Sequence, residues 1–146
     1  MRGFLAILAG IVAALVVQSA FGLVANLLYP PRVADLMSLK QVAAAIEARP
    51  MAALWIDIAG YFFGALVGGY LGKRISGTAA AAWVPALVLA AMALVIAFNL
   101  PVPTWVMFAT FVAPLIGGLI ANHLAKGPSP AAAEALDGEG GAVGNG

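Results

Sequence analysis

Residues 52–71 read AALWIDIAGYFFGALVGGYL, twenty consecutive positions with one charged residue, Asp57. At about 1.5 Å of rise per residue, such a helix is about 30 Å long, the thickness of a bilayer's hydrocarbon. Hydrocarbon offers no hydrogen bonds, so every backbone N–H and C=O must pair within the segment, and the stretch reads as a transmembrane helix. Three further runs, 4–28, 79–98 and 104–124, have the same character.

Composition agrees. Apolar residues fill 64% of the 146 positions and charged residues 9%, against roughly half and a quarter in soluble domains. The expectation is an all-α polytopic membrane protein, with four transmembrane helices in an antiparallel bundle over residues 1–126. The Gly/Ala-rich residues 127–146 read as a flexible tail. Pro85 falls in the first turns of its run, where it does little harm, and Pro114 near mid-run predicts a kink. Arg2 and the small residues at Ser19–Ala20 also fit a cleaved signal peptide. Against that, apolarity continues to Leu28, and Gln18 stands where a cleavage motif wants a small residue. A retained helix is the better reading.

Several functions are disfavoured. Seven Lys and Arg at a net charge of +1 give no basic patch for nucleic acid, and the absence of cysteine removes thiolate chemistry. No hydrolase triad, H-E-x-x-H or phosphate-cradling glycine loop is present, so neither an enzyme nor a cofactor is expected. His123 is the one histidine and reads as an interfacial polar residue, not a haem or metal ligand.

Arg2, Lys73, Arg74 and Lys126 fall on one side of the membrane and Arg32, Lys40 and Arg49 on the other. This bias places both termini in the cytoplasm. After the first span, Pro30-Pro31 stops the helix, and Ser38 with Gln41 has capping-box spacing. Residues 38–48, with Leu39, Val42, Ala43 and Ile46 on one face, read as a short amphipathic helix. It either lies on the outer surface or packs over the bundle's mouth.

Two features bear on function. Gly60, Gly64, Gly68 and Gly72 recur every fourth residue, and the first span offers a matching row that includes Gly10, Ala14, Gln18 and Gly22. Small residues let helix backbones approach closely in lipid, either within one chain or between chains. Asp57 is the other feature. It lies about 8 Å along its span, with Gln18 and Thr110 expected at similar depth and Tyr61 one turn away. An intramembrane carboxyl marks an ion or proton site, a hydrogen bond across helices, or a side chain reaching out to the interface.

There is a faint internal repeat. Val24-Ala25-Asn26-Leu27 resembles Ala97-Phe98-Asn99-Leu100, and the segment around Gly68-Gly69 resembles that around Gly117-Gly118. Tandem hairpins and chance similarity in biased sequence both account for it. The Pro-Pro after the first span, the short capped helix, Arg49-Pro50, Gly64 with Gly68-Gly69, and Lys73-Arg74 resemble a family of small, uncharacterised four-helix bacterial membrane proteins. That resemblance implies the topology and a bacterial cytoplasmic membrane, and no activity. Two functions are therefore expected from different classes. The first is an accessory subunit whose glycine-faced helices pack on a partner complex. The second is a homo-oligomeric transporter or channel with Asp57 at its ion or proton site.

Overall fold

The computed structural model describes residues 2–30, 38–100 and 102–125. These form α1 (Arg2–Leu28), α2 (Leu39–Glu47), α3 (Met51–Ser76), α4 (Ala79–Asn99) and α5 (Thr104–Leu124), with no strand among them. The proposed tail at 127–146, together with Lys126, Arg32 and Pro31, lies outside the described residues. Four of the helices are long and apolar enough to cross a membrane, with mean hydropathies from 1.6 to 2.4. Prolines start or stop them: Pro50 is the N-cap of α3 and Pro103 that of α5. The tight link from α3 to α4 turns on Gly77, whose φ of 74° is left-handed and whose N–H donates to Lys73 O at 2.7 Å.

The four long helices form an antiparallel bundle with α3 at its centre. It packs on α1, α4 and α5, and α1 also meets α4. Side-chain size is distributed opposite to that of a soluble protein. The buried apolar residues are mostly alanine, and the largest fully buried side chains are Leu89, Pro85 and Pro114. Large apolar side chains point outward instead, with Phe4, Leu27 and Phe98 at 71%, 72% and 83% exposed. Water would not tolerate such a surface, whereas lipid tails cover it at no cost while small residues let the backbones meet.

Glycines set the helix register. A Cβ placed on Gly64 or Gly68 would run into the α1 carbonyls of Ala14 and Gly10, and one on Gly60 or Gly72 would touch those of Gln18 and Ala6 at 3.4 and 3.5 Å. Every four-residue step down α3 is a four-residue step up α1, so the small-residue rows mesh within one chain. Gly22 departs from the expectation. A Cβ there meets nothing within 4 Å, because the contact face of α1 has turned to Phe21, which meets Gly60 and Phe63, and to the fully buried Ala25. Gly72 and Gly69 also abut the Ala81 and Ala82 carbonyls of α4, and Gly117 of α5 rests on Phe62 O. These contacts make α3 a helix that is closely approached from three sides.

At the end where α3 finishes, Lys73 Nζ donates to Asn122 O at 2.5 Å and to Asn122 Oδ1 at 2.9 Å, tying α3 to the end of α5. A cation there complements the helix's negative end. His123 is exposed beside it. The other end of the bundle is less tightly shut.

Candidate functional site

At the end of the bundle carrying α2, the four long helices enclose a cavity of about 260 Å³. This is just under the roughly 300–1,000 Å³ of drug-sized ligand sites, so it suits a solute of metabolite size. Its lining is mixed. Gln18 of α1, Asp57 and Tyr61 of α3, and Arg49 from the α2–α3 connection are polar members of it. Ala93, Ile96 and Ala97 of α4, with Leu100 and Val106, supply an apolar wall.

Arg49 is the residue that the sequence reading missed at this site. The turn that ends α2 brings Arg49 N to Ile46 O at 3.1 Å, and Pro50 then starts α3. From there the guanidinium folds back over the first turns of α3. Its Nη1 donates to Asp57 Oδ2 at 2.7 Å, and its Nη2 donates to Asn26 Oδ1 of α1 at 2.8 Å. The side chains of Arg49 and Asp57 are 20% and 22% exposed. Asp57 is therefore a member of an ion pair at the cavity wall, and the pair as a whole is neutral. A basic residue one position before a helix-starting proline and eight before a lone intramembrane acid was the signal available. It stands just over two helical turns from Asp57, within reach of an extended arginine.

The other expected partners of Asp57 do something else. The Thr110 hydroxyl donates to Val106 O at 2.8 Å and to Met107 O at 3.2 Å, so its own helix satisfies it. Gln18 and Tyr61 line the cavity without bonding the carboxylate. Among the described residues, neither the Gln18 amide nor the Tyr61 hydroxyl has a protein hydrogen-bond partner. No polar side-chain atom of the described residues is both buried and unsatisfied, so these two groups stay open to whatever fills the cavity.

Ser38 takes the N-cap position of α2, but its side chain makes no capping bond. Ile46 in its last turn and Arg49 just beyond it line the cavity, which places the end of the short helix beside the mouth. Trp55 and Trp105, with ring centroids 5.8 Å apart, sit at the starts of α3 and α5 on this same end, the level that amphipathic rings prefer at a membrane surface.

Fold and site together define a class: a helical membrane protein with a small, ion-paired cavity opening at one end of its bundle. Comparison with family models, with curated proteins and with solved structures finds no match for this chain.

Proposed function

We propose that this protein is a small non-enzymatic carrier of the bacterial cytoplasmic membrane, with both termini cytoplasmic and its cavity open to the outer face. The cavity carries this reading: a solute-sized space lined by both polar and apolar side chains, with two polar groups that no described residue satisfies. Below the Tyr61 level, α1 and α3 close on each other through Gly64, Gly68 and their α1 partners. One open end and one shut end is the arrangement an alternating-access carrier has in one of its states. Four helices rarely enclose a full pathway alone, so a homo-oligomer is the working assembly on this reading.

One observation favours the carrier over an accessory subunit. The small-residue rows that would have docked on a partner are used up between α1, α3 and α4. Asp57 as a bare cation or proton site also needs revising, since Arg49 already neutralises it.

Filling the cavity tests the proposal. Ala97 lines the apolar wall and is half-buried, so Ala97→Phe should occupy the space while leaving the ion pair alone. In proteoliposomes, uptake of a small test solute such as labelled norvaline is expected from the parent protein and should fall at least tenfold in Ala97→Phe. Equal uptake by the two proteins, or none above empty liposomes by the parent, would remove the carrier reading.

A further inference from the structure

We infer that the solute is a zwitterion of the α-amino-acid type with a short aliphatic side chain, an inference that rests on the cavity being a solute site. Three observations lead to it. The first is charge. Arg49 and Asp57 form a neutral pair at the wall of a cavity sunk into the span. A singly charged solute would leave one unit of charge uncompensated there, which low-dielectric surroundings penalise strongly. A solute of zero net charge avoids that penalty.

The second is the inventory of hydrogen-bonding groups. Arg49 presents several N–H donors in a planar fork, and Asp57 accepts through two oxygens, of which Oδ2 alone is bonded to Arg49. Gln18 and Tyr61 each add a donor and an acceptor that no described residue engages. An α-carboxylate is acceptor-only and an α-ammonium donor-only, and both sit on one carbon. They match two adjacent groups of opposite charge, with the carboxylate against Arg49 and the ammonium against Asp57. A neutral amide would use the open groups but gain nothing from the charges.

The third is the apolar lining. Ile96, Leu100 and Val106 offer aliphatic surface in the same cavity, so the solute should carry an apolar part beside its charges. The limited volume keeps that part short.

Four probes with five carbons each separate the chemistry: norvaline, pentanoate, pentylamine and pentanamide, titrated calorimetrically into the detergent-solubilised full chain. Norvaline is expected to bind at least tenfold more tightly than the other three. The sharper readout is a switch of preference. Asp57→Asn leaves Arg49 unneutralised and should turn the site toward pentanoate, while Arg49→Gln leaves Asp57 unneutralised and should turn it toward pentylamine. Norvaline should weaken at least tenfold in both. A purely structural role for the pair would lower all affinities together or unfold the protein, and Ala97→Phe, with the pair intact, should lose norvaline while its melting temperature holds. Pentanamide binding as well as norvaline, or an unswitched preference in both charge variants, overturns the zwitterion while leaving the cavity as a solute site. Binding of none of the four probes overturns the solute site itself.

Discussion

Gly68→Leu is expected to abolish the folded bundle. A Cβ at this position would strike the Gly10 carbonyl oxygen and would lie 2.7 Å from Ala14 Cβ and 3.1 Å from Ala14 N. Two of these three neighbours are main-chain atoms of α1, which cannot rotate aside as a side-chain tip can. Overpacking by a methylene or so typically costs about 1–3 kcal/mol. A leucine here forces α1 and α3 apart along a seam that several other glycines also need closed, and native stabilities are only about 5–15 kcal/mol. The control is Gly22→Leu on the same helix pair. With nothing within 4 Å of its Cβ, that variant should fold normally and gain up to about 1 kcal/mol of helix propensity. Size-exclusion profiles and thermal melts in mild detergent check both. A Gly68→Leu protein that keeps its folded monomer and merely splits from a larger assembly would show that the stripe faces another chain.

The second large effect is on the ion pair, and it is asymmetric. Arg49→Met leaves the Asp57 carboxylate without its cation, six residues into a membrane span. Asp57→Asn leaves Arg49 still bonded to Asn26 and close to the water at the rim. The arginine variant should therefore lose more stability. Exposed pairs contribute about 0–1 kcal/mol and breaking a buried pair costs about 3–5 kcal/mol. A pair about one-fifth exposed belongs between, so a coupling of about 1–3 kcal/mol is expected from the double-mutant cycle. The double variant should be more stable than Arg49→Met alone, because it removes the stranded charge. If both single changes cost the same and simply add, the two side chains are not coupled in the folded protein.

Much of this molecule is legible in its sequence, and for a physical reason. In hydrocarbon a helix of about 20 apolar residues is nearly the only way to satisfy a backbone, so the stretch around Asp57 and its three counterparts leave little choice of fold. The four-residue period of Gly60 to Gly72 likewise reports close helix approach directly, because nothing but a neighbouring backbone explains so much missing side chain. Period alone cannot say how far along α1 the contact runs. Gly22 continues the row in sequence and leaves the contact in space, because a four-residue step overshoots the roughly 3.6-residue turn and the packed face passes instead to Phe21 and Ala25. Arg49 was legible in position but not in direction. Long basic side chains beside a span usually extend outward to water, and here the guanidinium turns inward because a carboxylate waits two turns below. Thr110 shows the converse. Its depth was readable, but a hydroxyl in a helix can bond its own preceding carbonyls, and it takes that local option in place of Asp57.

The central claim is that lipid surrounds the bundle while water enters it at one end, and the absence of native cysteine makes this directly measurable. Thr110 lines the cavity, whereas Val112, two residues on along α5, is 43% exposed on the outer surface. Single Thr110→Cys and Val112→Cys variants in native membrane vesicles should be treated with a hydrophilic, membrane-impermeant maleimide. Thr110→Cys should react from one side of the membrane only and Val112→Cys from neither. Rapid reaction at Val112→Cys, or inertness at Thr110→Cys from both sides, would contradict it.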